Sequence, residues 1–326
     1  MAERTAIVTG ASGFVGASIV REMAAQGYGV VACDTAAPSP LLWRYWGDGE
    51  LDVRFERGSI LDEELLASVM AVHEPVVVIH AAAVTAVHVD DEIALGDRMV
   101  EVNVLGTLRV LAACRRARVK RLVHLSSAGL YGSTSDRTPV REEGPTAAGN
   151  LYLIGKEAAE RLCLRYGELH ELPVVVARLT QPYGPLERDT GSRPVLSVIY
   201  QLAAAALRSR RVHVSGDDYL CDWTCTLDIA RAVRLLCEAP SLDHRLFNVS
   251  CGEATRLTDV LTELGDLVPG ATFHFSQDPS QAPIATEDDP RRGPLDIARL
   301  IAATGFRPAY DVRRGLSASM EWWRQS

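Results

Sequence analysis

No run in this sequence approaches the roughly 20 apolar residues needed to span a bilayer, so a membrane protein is not expected. Basic excess is missing too. Lys and Arg number 34 against 42 Asp and Glu, a net charge of −8 that argues against a general nucleic-acid binder. The cysteines (Cys33, Cys114, Cys163, Cys221, Cys225, Cys237 and Cys251) lack metal-site spacing. Cys221 and Cys225 are close together, but no second pair accompanies them. They read as reduced thiols of a cytoplasmic protein, with no metal centre expected. A strand pattern begins almost at once, leaving no room for a secretory leader. There is no internal repeat, and the Pro- and Asp-rich stretch 278–294 reads as a loop rather than a linker. What is present is ordinary for a soluble globular chain: 47% hydrophobic and 23% charged residues. At 326 residues there is room for one large domain or two.

The most informative stretch is Ala6 to Gly16. Its apolar, β-branched start reads as a buried parallel strand. Gly10, Gly13 and Gly16 follow, and then Ile19, Val20, Met23 and Ala24 fall at helical spacing over 17–26. Strand, glycine turn and helix together form a phosphate-binding pattern. Gly10 permits the turn, Gly13 lets the backbone approach a pyrophosphate, and Gly16 lets helix and strand pack closely. The helix start offers free N–H groups to an anion. A second strand, 29–34, ends in Asp34, about 20 residues past the turn, where a carboxylate can bind both hydroxyls of an adenosine ribose and repel a 2′-phosphate. That favours NAD over NADP.

Residues 35–50 read as a surface loop and 53–58 as a third strand. Asp62 caps a helix over 63–72. Strand four, 75–80, runs into the small residues Ala81, Ala82 and Ala83. A long helical pattern covers 93–117. Strand five, 121–125, ends at Ser126 and Ser127. A helix over 151–169 carries Tyr152 and Lys156, and strand six spans 173–179. Six strand–helix alternations predict an α/β fold, a doubly wound, mostly parallel sheet of Rossmann type with helices on both faces. After about residue 185 the pattern becomes mostly helical (194–208, 225–238, 256–268, 294–303, 312–324), with short strands near 211–215, 245–249 and 272–276. The expected division is a dinucleotide-binding domain over 1–185, its sheet completed from about 211–250, and a smaller substrate-binding region over 186–326.

These residues together resemble the extended short-chain dehydrogenase/reductase family, which includes nucleotide-sugar epimerases and dehydratases. The resemblance rests on Thr9-Gly10-x-x-Gly13-x-x-Gly16, Asp34, His80-Ala81-Ala82-Ala83, Asn103-Val104-x-Gly106-Thr107, Ser126-Ser127, Tyr131-Gly132, Tyr152-x-x-x-Lys156, Arg178-x-x-x-x-Tyr183-Gly184-Pro185 and Gly216-Asp217 … Asp222-Trp223 … Asp228-Ile229-Ala230. It implies NAD as cofactor, held by Gly10, Ser12, Gly13, Phe14, Val15, Gly16, Asp34, Ser59, Ile60, Ala81, Ala82, Ala83, Asn103, Tyr152, Lys156, Pro182 and Tyr183. It implies a catalytic set of Ser127, Tyr152 and Lys156, and a homodimer built on the helices near 93–117 and 151–169. Four residues apart, Tyr152 and Lys156 share one helix face. A free tyrosine, with a pKa near ~10, is a poor base, but a nearby ammonium and a nicotinamide cation favour its phenolate. Tyr152 can then take a hydroxyl proton as hydride leaves the same carbon, with Ser127 holding the oxygen.

Departures narrow the expectation. Ala128 and Gly129 stand where the family's 4,6-dehydratases carry Asp-Glu and its decarboxylases a glutamate, so elimination and decarboxylation are not expected. Cys221 replaces an arginine that contacts the pyrophosphate of nucleotide sugars, Gln181 replaces an asparagine, and no asparagine stands near Pro194. Ser59 replaces the adenine-contacting aspartate. The loop 187–193 supplies Arg188 and Arg193 instead, and Arg291 and Arg292 offer further anion contacts. Thr85, Ser127, Gln181, Arg188, Arg193 and Arg291 form the expected substrate set. The favoured reading is a net dehydrogenase or reductase acting on a secondary alcohol of a small sugar-like or polyol substrate. The alternatives are a UDP-sugar 4-epimerase with tightly held NAD, and a non-catalytic NAD sensor, against which Ser127, Tyr152 and Lys156 argue.

Overall fold

The computed structural model describes residues 4–86, 88–133, 137–190, 193, 195–276, 284 and 291–325. In chain order these form β1 (Thr5–Thr9), α1 (Phe14–Ala25), β2 (Gly29–Asp34), α2 (Pro40–Tyr45), β3 (Val53–Arg57), α3 (Glu63–His73) and β4 (Val77–His80). Next come α4 (Val89–Val100), α5 (Thr107–Ala117), β5 (Arg121–Ser127), α6 (Leu151–His170), β6 (Val174–Leu179) and β7 (Gln181–Tyr183). The remainder holds α7 (Val198–Arg208), β8 (Arg211–Ser215), β9 (Leu220–Cys221), β10 (Trp223–Cys225), α8 (Thr226–Glu238) and β11 (Leu246–Val249). It ends with β12 (Thr255–Arg256), α9 (Leu257–Leu267), β13 (Thr272–Ser276), α10 (Ala298–Thr304) and α11 (Val312–Trp323).

Seven parallel strands form the central sheet in the order β11-β6-β5-β4-β1-β2-β3. A sheet covered on both faces needs apolar residues at every position, which Val77-Val78-Ile79 and Val174-Val175-Val176 provide. Alternation divides them: Ala6 and Val8 join the layer of α1 and α8, while Ile7 joins that of α3 and α5. The order reverses between β1 and β4, and a crevice opens beyond their carboxyl ends. A separate apolar cluster holds the C-terminal elements together, with Ile199, Leu202, Trp223, Leu257, Leu316 and Trp323 among its members. Among the described residues no helix is long and apolar enough to cross a membrane.

The observed fold differs from expectation in three places. The supposed loop 35–50 contains α2, started by the Ser39 cap on Leu42 N and by Pro40. Tyr45 and Trp46 are buried there, bonded to Ser18 Oγ and the Ala17 carbonyl, which pins the segment beneath α1. The long helical pattern starts earlier, at Val89, and a π-helical turn, Glu101–Gly106, separates α4 from α5. Of the segments between 211 and 250, only β11 joins the main sheet; β8 pairs with β13 in a small sheet of its own. Most of the expected loop 278–294 lies outside the described residues.

Near the carboxyl ends of β5 and β6 a buried ion pair ties α6 to the sheet. Arg178 donates from Nε to Glu160 Oε2 at 3.0 Å and from Nη2 to Oε1 at 2.5 Å. Ser126 Oγ donates to the same carboxylate, and Arg178 also reaches the Glu142 carbonyl. Both charged residues are only 4% exposed, so removing one strands the other. Glu160→Ala is expected to destabilise the fold by about 3–5 kcal/mol, measured by urea unfolding. A loss below about 1 kcal/mol would show that the pair does not brace this edge.

Candidate active site

A cavity of about 1170 Å³ runs along the carboxyl ends of the strands. Gly10, Ser12, Gly13, Phe14, Val15 and Gly16 line one end with Asp34, Ser59 and Ile60. Ala81, Ala82, Ala83 and Thr85 form its floor, and Ser127, Tyr152 and Lys156 its middle. Gln181, Pro182, Arg193, Arg291 and Arg292 complete the lining, with Arg193 over the Phe14 ring.

The glycine turn leaves no space for side chains on its inner side. Gly10 has φ +69°, and a Cβ there would collide with the Ala82 backbone. A Cβ on Gly16 would land on the Gly10 carbonyl. Asp34 is fixed by Ser12 N to Oδ2 at 2.9 Å and Ala36 N to Oδ1 at 3.0 Å. Thr35 Oγ1 also approaches Oδ1 at 3.5 Å; of a carboxylate's about four lone-pair positions one stays open, and the long Thr35 contact can yield a second to a ribose hydroxyl.

In the middle of the cavity, Gly129 N donates to Ser127 Oγ at 3.1 Å, and Ser127 hydrogen-bonds Tyr152. Burial pushes the Tyr152 phenol up, while the Ser127 bond and the Arg193 charge pull it down. Lys156 donates to the Leu125 carbonyl at 2.8 Å, and its ammonium lies 6.0 Å from the centroid of the Tyr152 ring. Burial lowers the Lys156 pKa to about 8.

Behind Lys156 lie two buried imidazoles, His80 and His124, with ring centroids 5.2 Å apart. Burial, with the Lys156 charge, lowers His80 to about 3 and His124 well below its usual value, so both are neutral at physiological pH. Thr107 donates its only proton to the Asn103 carbonyl at 2.6 Å, so it must accept from His80 Nε2 at 3.0 Å. His80 Nδ1 then accepts from Thr9 Oγ1 at 2.7 Å. The tautomer follows from that chain of bonds.

Three expected contacts are placed elsewhere. Asn103 is buried behind the cavity wall, where it clamps Val84 through N–H to Oδ1 and Nδ2 to carbonyl bonds, both 2.9 Å. Tyr183 is fully buried in the C-terminal cluster, its hydroxyl 3.5 Å from the Asp311 carbonyl. Arg188 turns away from the substrate side and donates to the Ser12 carbonyl at 2.6 Å. In each case a backbone partner or the packed core takes the side chain the cavity was expected to receive. Cys221 is buried in β9, so no guanidinium stands at that position. Arg291 stacks 3.6 Å from the Tyr219 ring centroid, and its segment is tied down where Leu295 N donates to buried Asp222 at 2.9 Å. Sequence pattern missed Glu187. Beside two arginines in a loop it reads as solvated charge, yet it is fully buried.

The sequence profile of the NAD dependent epimerase/dehydratase family matches residues 6–250. The chain belongs to this family. It is 29% identical over 320 residues to a UDP-glucose 4-epimerase of Mycolicibacterium smegmatis, covering 98% of each chain. It is 30% identical to a dTDP-glucose 4,6-dehydratase of Streptomyces niveus, covering 98% of this chain and 93% of that one. The solved Thermus thermophilus UDP-glucose 4-epimerase in complex with NAD superimposes with a TM-score of 0.81 at 26% identity, covering 99% of both. Dehydratases thus stand among the relatives of this enzyme, and similarity gives no support to excluding elimination. That expectation rests on Ala128 and Gly129 alone.

NAD is the family's cofactor, and the cavity fits it. The side-chain-free turn at the start of α1 suits a pyrophosphate, and Asp34 suits the ribose hydroxyls. Replacing Asp34 with Ala is expected to raise NADP binding relative to NAD about tenfold or more, loss of one charge contact corresponding to about 1.5–3 kcal/mol. Isothermal titration with both cofactors checks this; an unchanged ratio removes Asp34 from cofactor choice.

Proposed function

We propose that this enzyme carries out reversible NAD-dependent hydride transfer at a secondary alcohol of an anionic, sugar-like substrate, with a net dehydrogenase or reductase outcome. The observation that carries this reading is the convergence of Ser127, Tyr152 and Lys156 on the cavity that also contains the glycine turn. In this reading residues 1–185 hold the cofactor and 186–326 supply most of the substrate contacts. Bound NAD supplies the hydride acceptor. Ser127, whose Oγ accepts from Gly129 N and whose hydroxyl lies against Tyr152, can turn its proton from the phenol to the substrate oxygen. Tyr152, as phenolate, removes the hydroxyl proton from that oxygen. Lys156, anchored on Leu125 O, presents its remaining protons to the cavity. Arg193, Arg291 and Arg292 favour a substrate carrying negative charge. A cytoplasmic setting, where thiols stay reduced, suits the scattered cysteines.

A second reading is a nucleotide-sugar 4-epimerase. Arg291 and Arg292 favour it, because they line the cavity and can take over the diphosphate contact that Cys221 lacks. NADH production across UDP-sugars, dTDP-glucose, free sugars and uronates decides between them. Stoichiometric NADH supports the dehydrogenase; epimer formation without added NAD supports the second reading; a dehydrated product from dTDP-glucose overturns both. Under either reading Tyr152→Phe lowers kcat by about 10²–10⁴-fold while leaving the NAD dissociation constant nearly unchanged. Full turnover in that variant would falsify the mechanism.

The enzyme also carries an apolar face suited to a second copy of itself. Ile93 is 78% and Ile154 51% exposed, with Val89, Val100, Leu105, Leu108 and Leu151 on the same group of helices. We assign this face to a homodimer. Light scattering after size exclusion is expected to give twice the 35.4 kDa chain mass, and the Ile93→Glu/Ile154→Glu variant a monomer. A monomeric parent protein removes the assignment.

A further inference from the structure

Two arginines of the loop after β7 meet the turn between β1 and α1. Leu186 adopts φ +59°, uncommon for a branched side chain, and the next residue, Glu187, turns fully inward. Its carboxylate receives Ser197 N at 2.6 Å and Ser197 Oγ at 2.7 Å, at the start of α7. Arg188 donates to the Leu186 carbonyl at 3.0 Å and to the Ser12 carbonyl at 2.6 Å, which fixes the loop to the glycine turn. Arg193 Nη2 lies 2.9 Å from Glu187 Oε1, and the guanidinium is held over the Phe14 ring, 4.7 Å from its centroid. Phe14 is the first residue of α1. Gly13 precedes it with no side-chain cap, and no acidic residue stands in the first turn, so the helix start keeps its N–H groups and partial positive charge for a ligand. Arg193 lines the same cavity as Gly13, Phe14 and Val15.

We propose that Arg193 is a ligand of the cofactor's pyrophosphate, completing a site that the glycine turn supplies only in part. The inference rests on NAD as the family's cofactor and on none of the reaction assigned above. A helix start offers roughly half a positive charge, whereas the pyrophosphate of NAD carries a negative charge on each phosphate. A guanidinium has five N–H donors in one plane. The Glu187 contact engages one edge of that plane, and the Phe14 ring holds the plane at the first residue of α1. The other edge is then available to a phosphate oxygen, a charge-assisted contact that suits arginine. Glu187 offsets part of the guanidinium charge, but its carboxylate is shared with both Ser197 donors and the positive start of α7. The neighbouring arginines are committed elsewhere. Arg188 directs its donors to backbone carbonyls, and Arg291 lies over Tyr219. With Arg193 serving the cofactor, Arg291 and Arg292 are left to meet the charge of the substrate.

The test is isothermal titration of nucleotide-free protein with NAD and with ADP-ribose, which both carry the pyrophosphate, and ligand-observed NMR with adenosine, which lacks it. Arg193→Gln is expected to weaken NAD and ADP-ribose about tenfold while adenosine binds as it does to the parent. Arg193→Lys, which keeps the charge but not the planar fork, should lie between the two. Unchanged binding of NAD and ADP-ribose overturns the proposal. So does a loss for adenosine as large as that for NAD, which would make Arg193 a support for the shape of the site. If removing the guanidinium strands Glu187 and Arg193→Gln loses its fold by circular dichroism, the Glu187→Gln/Arg193→Gln variant decides. It leaves neither charge of the pair uncompensated, and the same ligands carry the same outcomes. Binding is read without substrate or turnover, so these results stand apart from failure of the hydride-transfer reading, which Tyr152→Phe kinetics tests.

Discussion

Backbone crowding at the glycine turn is the constraint on which the rest of this structure depends. Between β1 and α1 the chain passes so close to the end of β4 that a Cβ on Gly10 has no place, and one on Gly16 meets the Gly10 carbonyl. That closeness brings the first helix turn to the crevice at the reversal in strand order. It also sets the register of what surrounds it. Thr9 reaches His80, Asp34 reaches Ser12, and Arg188 reaches the carbonyl of the same residue from far along the chain. A side chain at either glycine would push all of these partners apart.

The second half of the chain is attached to that centre by polar struts rather than by apolar packing alone. Asp222 collects Ser250 Oγ at 2.7 Å and Leu295 N at 2.9 Å, and Asp228 takes the backbone N–H groups of Ala309 and Tyr310 at 2.9 and 2.8 Å. Buried carboxylates with several donors are costly to strand, so each fixes its strand-to-loop connection strictly. The Asp222 contact holds the segment that carries Arg291 and Arg292 to the cavity, while Glu187 and Ser197 hold the loop that bears Arg193. The same economy governs the charges inside. Two neutral imidazoles leave Lys156, still an ammonium at neutral pH, as the charge behind Tyr152.

Much of the site is legible in the sequence because its parts are local. Tyr152 and Lys156 are one helical turn apart, Gly10 to Gly16 is one turn of chain, and Asp34 ends the next strand. Helical and strand periods also place most elements, since each reports which face is buried. What escaped is where a side chain could be taken by a partner distant in sequence. Asn103 carries the family pattern, yet its amide is taken by the Val84 backbone across the chain, through a π-turn that no periodicity announces. Tyr183, in a recognisable motif, and Arg188, in a charged loop outside any motif, are likewise taken by the Asp311 and Ser12 carbonyls. The segment 35–50, rich in Pro, Gly and Trp, hides a buried Tyr45 and Trp46 because their partners lie on α1.

By itself, then, the sequence determined the strand–turn–helix unit for a dinucleotide, the parallel sheet, and the Ser127, Tyr152 and Lys156 set, because each depends on short-range spacing and period. Only the tertiary structure decided which arginines face the cavity. It turned Arg188 to the glycine turn, set Arg193 over Phe14 and against Glu187, and buried Glu187 at the start of α7. Charge in a loop carries no period. Its direction is settled by which buried donor or acceptor lies within reach once the chain has folded.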